Sequence, residues 1–217
     1  MNAIAVVARH AGMLVALAAV YLPALASPGP NFLAVTQAAV GGTRRQGVAT
    51  ALGVASGSTL QALLAATGVG LLLAHAGGVQ RVVALLGGAY LLWVARAIWR
   101  QARAAGPALT PGAMRAVTLR AAYRAGLLTN LTNPKALVFF STIFTALVGP
   151  GLPAELRFAA VALICLLSTC WHLALATLFT QAAVRSAYAR ARRPLLRLTA
   201  LAIGGFGLHL VWSAARG

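Results

Sequence analysis

Two proline-centred breaks gather the residues of this chain that are equipped to meet a polar solute. The first is Ser27-Pro28-Gly29-Pro30-Asn31, with Gln37 beyond it, and the second is Asn130-Leu131-Thr132-Asn133-Pro134-Lys135. A proline withholds an N–H and clashes with the carbonyl one turn back, so a new helix starts after each break with its first N–H groups unpaired. Those groups carry partial positive charge and suit a carboxylate. Asn31, Gln37, Asn130 and Asn133 add amide donors and acceptors. Lys135, the only lysine in the chain, adds a full positive charge. This set can bind a small polar solute reversibly.

The same residues have plainer uses. Asn31 and Asn133 can serve as helix N-caps. Lys135 can snorkel to lipid headgroups or cap carbonyls that Pro134 frees. His172, deep in an apolar stretch, is expected to hydrogen-bond to a neighbouring helix, with proton coupling as its functional alternative. Cys165 and Cys170 stand five apart, which turns them away from each other on a helix and argues against a redox or thiolate-metal pair. Phe139-Phe140, Trp93 and Trp99 read as packing and interfacial residues.

The chemistry that is missing is as informative. Glu155 is the only acidic residue, placed between Pro153 and Arg157. Paired-carboxylate hydrolysis, carboxylate-held metals and an Asp/Glu proton relay are thereby excluded. No nucleophile elbow and no phosphate-binding glycine loop is present. The chain is read as a non-enzyme without cofactor or metal.

The elements that hold these residues must lie in a membrane. Of 217 residues, 60% are hydrophobic and only 9% are charged, far below the charged share of a soluble domain; the mean hydropathy is +0.85. Apolar stretches run at about 11–41, 47–74, 79–99, 122–148, 156–182 and 195–214, each long enough to span a bilayer. An all-α polytopic membrane protein of about six transmembrane helices is expected, forming one domain over 1–217. Lipid leaves no partner for freed backbone groups, so the breaks in the first and fourth stretches are expected to line a polar path. A basic loop at about 101–119 separates two three-helix halves, about 1–100 and 120–217, each opening with a broken helix. Three is odd, so similar halves enter the membrane in opposite senses, as an inverted repeat.

The net charge of +17 invites a nucleic-acid reading, but its distribution argues for topology instead. With alternating crossings, one side holds thirteen arginines (44, 45, 96, 100, 103, 115, 120, 124, 185, 190, 192, 193 and 197) and the other four (9, 81, 157 and 216). The rich side is expected to be cytoplasmic, with both termini outside it and no nucleic-acid partner. Met13–Leu22 followed by Ala24-Leu25-Ala26 resembles a signal peptide, but its removal would invert that bias, so an uncleaved first helix is expected. Gly53-x-x-x-Gly57 is expected to pack helices within the chain.

Taken in order, several blocks are similar to the lysine exporter (LysE/RhtB) family of amino-acid exporters, in particular its threonine-efflux branch. They are Ser-Pro-Gly-Pro-Asn at 27–31, Val-Thr-Gln-Ala-Ala-Val at 35–40, Gly-Gly-Ala-Tyr-Leu-Leu-Trp at 87–93, Gly-Leu-Leu-Thr-Asn-Leu-Thr-Asn-Pro-Lys-Ala at 126–136, Phe-Phe-Ser-Thr-Ile-Phe at 139–144 and Gly-Gly-Phe-Gly-Leu-His-Leu at 204–210. The resemblance implies a secondary exporter of the bacterial inner membrane, driven by the proton gradient or membrane potential, with Pro28–Asn31 and Asn133–Lys135 in the translocation site. Where some relatives carry an acidic residue on the second helix this chain has Ser58, with Gln61 one turn later. That departure favours a small neutral amino acid such as threonine or homoserine over a cationic one. Efflux of a metal cation or small cationic compound is the alternative within transport; a membrane scaffold or redox protein is the alternative outside it. Oligomerisation is left open.

Overall fold

The computed structural model describes residues 10–69, 79–103, 117–148 and 152–216, and every regular element among them is helical. Helix α1 (Ala11–Ala26) ends at the first break, and α2 (Pro30–Gln37) leaves it at 57° to α1. A π turn, Ala38–Gly42, leads into α3 (Arg44–Leu64), which itself ends in a second π turn, Ala65–Val69. Then come α4 (Val79–Gln101), α5 (Leu119–Leu131), α6 (Pro134–Leu147), α7 (Ala154–Leu178) and α8 (Ala182–Arg216). Pro30 and Pro134 each stand first in their helix, where the N–H they lack would have had no intrahelical partner.

Over the described residues, each of the six apolar stretches falls on one helix or one broken pair. α3 with its π turn, α7 and α8 are long and apolar enough to cross a bilayer, and the bent α1–α2 pair adds a fourth span. The chain is an all-α polytopic membrane protein. The last helix differs from its apolar outline: it begins at Ala182, not near 195, and passes through Pro194. Alanine, leucine and arginine propagate a helix whether or not it is apolar. At 1.5 Å per residue its 35 residues extend to about 52 Å, well beyond a hydrocarbon core of about 30 Å. Most of the basic 101–119 segment, residues 104–116, lies outside the described residues.

Three contacts bring the arginine-rich segments together at one end of the bundle. Gln46 Nε2 donates to the Val117 carbonyl at 2.7 Å, joining the starts of α3 and α5. The Arg197 guanidinium lies 5.9 Å from the Trp99 ring, joining the end of α4 to α8. The rings of Phe32 and Tyr188 stack at 5.1 Å, joining α2 to the basic start of α8. At the opposite end Arg157 Nη1 donates to the Ala66 carbonyl at 3.2 Å, joining the start of α7 to the end of α3.

Small residues make the closest crossings. α3 and α5 run side by side so tightly that a methyl on Gly53 would collide with the Tyr123 carbonyl, and one on Gly126 with the Thr50 carbonyl. Gly57 abuts Asn130 in the same seam. The glycine spacing on α3 thus serves a crossing within the chain. α4 and α8 meet likewise at Gly88 and Gly207. Neither crossing respects the division into halves: α3 packs on α5 and α7, and α4 on α6 and α8. α1 is fixed into the core by Leu17, Tyr21 and Leu25.

Candidate functional site

The two breaks meet. Asn133 Nδ2 donates to Asn31 Oδ1 at 3.3 Å, and the breaks enclose a cavity of about 50 Å³. That space exceeds the 10–15 Å³ or so that a single water requires. Its walls come from α1 (Tyr21, Ala24, Leu25), the first break (Ser27, Gly29, Asn31, Phe32), α3 (Ser58), the second break and α6 (Asn130, Asn133, Lys135, Ala136, Phe139, Phe140) and α7 (His172).

The two new helices present different N-termini. α6 is capped: Asn133 Oδ1 accepts from the Lys135 backbone N–H at 3.0 Å. α2 is not: its N-cap is Gly29, which has no side chain to offer, so the first N–H groups after Pro30 keep their positive ends free. Lys135 reaches the same place from the other break. A Cβ on Gly29 would stand 4.0 Å from Lys135 Nζ. An uncapped helix N-terminus and an ammonium therefore converge on one wall, an arrangement whose positive charge suits a carboxylate. Lys135 lines the cavity and does not snorkel outward.

Behind that wall, Asn130 is fully buried. Its Nδ2 donates to Ser58 Oγ at 2.9 Å, and its carbonyl accepts from Gln61 Nε2 at 3.2 Å. Four buried side-chain atoms nearby have no hydrogen-bond partner: Tyr21 OH, Ser27 Oγ, Gln61 Oε1 and Asn130 Oδ1. Such atoms are rare in folded proteins and call for a reason; three belong to residues lining the cavity. His172, 2% exposed, bonds to its own helix and not to a neighbour: Nδ1 lies 2.8 Å from the Ser168 carbonyl, which can only accept. Nδ1 is then the protonated nitrogen of the neutral ring, leaving the Nε2 lone pair uncommitted to that bond.

Of the residues singled out from sequence, Gly29, Asn31, Asn130, Asn133, Lys135, Ser58 and His172 come together. Gln61 stands behind Asn130. Pro28 is buried and Pro30 exposed, and neither lines the cavity; Pro134 shapes the start of α6. Gln37 is exposed and away from the cavity. Six residues past Asn31, it is turned about 120° from it around a helix of 3.6 residues per turn. Sequence reasoning missed Tyr21, Ser27 and the cavity-facing role of Phe32, Phe139 and Phe140. Ser27 alone had a signal, as a polar residue in the break.

Two aromatic clusters adjoin the cavity, one through Phe32 and the other through Tyr21, Phe139 and Phe140. Towards the arginine-rich end, Phe32 stacks with Tyr188, and Phe179 meets both edge-on, with centroids 5.1–5.4 Å apart. Away from it, the Tyr21 ring lies 5.7 Å from those of Phe139 and Phe140. Cys165 is half-buried and Cys170 exposed, and neither lines the cavity. Among the described residues no group of three His, Cys, Asp or Glu could hold a metal ion.

A family model described as LysE type translocator matches residues 22–214. The threonine efflux protein of Salmonella typhi is 33% identical over 199 residues, which cover 91% of this chain and 96% of that protein. The threonine efflux protein of Escherichia coli K12 is 32% identical with the same coverage. The leucine efflux protein of Enterobacter sp. strain 638 is 31% identical over 122 residues, 56% of each chain. No solved structure is significantly similar to this chain.

Proposed function

The chain belongs to the LysE type translocator family, and from that premise we propose that it is a secondary exporter of small neutral amino acids, threonine- or homoserine-like, across the bacterial inner membrane. One observation carries this reading: Lys135 Nζ approaches Gly29 at the uncapped start of α2. A carboxylate held there faces a full positive charge and free backbone N–H groups together. The opposite charge of the zwitterion is met by neutral groups, the His172 Nε2 lone pair and the aromatic faces. A second cation on the substrate would have no carboxylate to face, so lysine, arginine and metal cations are disfavoured.

The two aromatic clusters suit alternating access. One joins α1 with α6, the other joins α2 with the end of α7 and the start of α8, and each contributes a ring to the cavity wall. Relative motion of these elements would open either cluster while the other stays shut. The arginine-rich end faces the cytoplasm under the positive-inside rule, with both termini on the other side. The proton gradient or membrane potential supplies the driving force, and no enzymatic step is involved.

The test is efflux from dipeptide-loaded cells expressing the chain, screened across amino acids with and without an uncoupler. Uncoupler-sensitive export of threonine or homoserine, lost in Lys135→Gln at equal membrane abundance, is the expected result. Export of cationic compounds in place of neutral amino acids would overturn the reading.

A further inference from the structure

The cavity walls carry hydrogen-bonding capacity that the protein does not use. Tyr21 is 3% exposed, and its hydroxyl has no partner. It faces the Ser58 and Ser168 hydroxyls without making a bond of ordinary length and angle to either. The ring packs against both Phe139 and Phe140, so the hydroxyl cannot swing elsewhere without breaking that packing. Ser58 Oγ already accepts from Asn130 Nδ2. Asn130 Oδ1 is a second unpaired buried atom of the same wall, and only an acceptor.

Tyr21, with a buried hydroxyl that can donate, and Asn130, with an amide oxygen that can only accept, line one cavity, and together they suit a ligand group that does both. A hydroxyl is the smallest such group. A methyl in its place would leave both protein atoms unpaired when the cavity closes and excludes water. The carboxylate end of an amino acid is taken up by Lys135 and the start of α2, so the group offered to Tyr21 is the side chain. We propose that the Tyr21 hydroxyl is a specificity determinant of this transporter, reading the side-chain hydroxyl of a small hydroxylated amino acid. This rests on the export reading and goes beyond it. Threonine is distinguished from its isostere valine, and homoserine from its isostere norvaline, by one hydrogen-bonding group and not by size. Hydrophobic pockets discriminate weakly at that level, whereas sites built to bond a hydroxyl reject the analogue lacking it strongly.

The experiment is counterflow of labelled threonine in proteoliposomes holding the full chain, with unlabelled threonine, homoserine, valine and norvaline as competitors. Wild type is expected to prefer each hydroxylated member over its partner by about 10²-fold or more. Tyr21→Phe, which keeps the ring against Phe139 and Phe140, is expected to cut threonine transport at least about tenfold while valine transport holds or rises. A wild type that transports amino acids but takes valine as readily as threonine overturns this inference and leaves the export reading standing. So does a Tyr21→Phe protein that loses both substrates equally while eluting as a folded species in detergent. If Tyr21→Phe fails to fold, the wild-type competition alone decides. A wild type that transports no amino acid overturns the export reading and this inference with it.

Discussion

Asn133 Nδ2 donates to Asn31 Oδ1 across 3.3 Å, joining two helix breaks that lie 102 residues apart in the chain. One amide thereby performs two tasks, because Asn133 Oδ1 also caps α6 at the Lys135 N–H. Asn31→Asp separates stability from transport. The new carboxylate still accepts from Asn133 Nδ2, as a stronger charge-assisted bond, and it brings negative charge into the cavity that Lys135 lines. The substrate carboxylate then meets a competitor. Export should fall at least about tenfold while the melting temperature in detergent holds or rises; Asn31→Ala should lower both. Paired efflux and thermal-shift measurements check this, and retained export in Asn31→Asp would refute it.

Lys135 has no hydrogen-bond or ion-pair partner for its ammonium among the described residues, and it is only half-buried, facing the cavity. An ammonium held away from bulk water without a counter-charge is destabilising, by an amount that solvent in the cavity reduces. Lys135→Met should therefore abolish export and raise the melting temperature, by an amount equivalent to about 1–2 kcal/mol. Lys135→Arg keeps the charge in a bulkier form and should recover only a fraction of the rate. A Lys135→Met protein that melts lower than wild type would mean that the lysine holds the fold and not the solute.

Much of this site was legible in the sequence because proline leaves little choice. Two breaks in apolar runs forced helix ends into the membrane, and the amides and lysine beside them had little reason to be there except to face a polar space or cap a helix. Tyr21 was illegible for the opposite reason. One tyrosine in an apolar helix reads as packing, and only the placement of Phe139, Phe140 and Ser58 from other helices makes it a wall of a cavity with its hydroxyl left unpaired. Gln37 misled because polarity and nearness in sequence are not nearness around a helix. The long start of α8 was hidden because hydropathy outlines the lipid-facing length, while arginine-rich sequence extends the helix past it.

The α3–α5 crossing supports the second break from behind, with Asn130 bonded to Ser58 and pressed on Gly57. Gly53→Val or Gly126→Val would drive a side chain into backbone carbonyls of the facing helix. Backbone cannot yield as a flexible side chain can, so the helices must separate, and folded yield in detergent should collapse. Gly205→Ala is the matched control. A methyl there meets nothing within 4 Å, so it should hold stability level or raise it by up to about 1 kcal/mol.

The aromatic cluster at the arginine-rich end gives the last prediction. Phe32, Phe179 and Tyr188 pack with centroids 5.1–5.4 Å apart, and Phe32 is the one that also lines the cavity. If the cluster is the seal on the cytoplasmic side, truncating it should not remove substrate binding but should weaken exclusion of water and solute. Phe179→Ala should keep counterflow within about threefold of wild type while the imposed gradient collapses faster through a leak. Access can be read directly after both cysteines are changed to serine. Cys165 and Cys170 lie off the cavity and are unpaired, so that background should export normally. Tyr188→Cys in it should react with a membrane-impermeant maleimide added from the cytoplasmic face, and more slowly once substrate closes that side. Labelling only from the outer face would reverse the orientation. A rate indifferent to substrate would deny the cluster any role in gating, leaving it as packing between α2, α7 and α8.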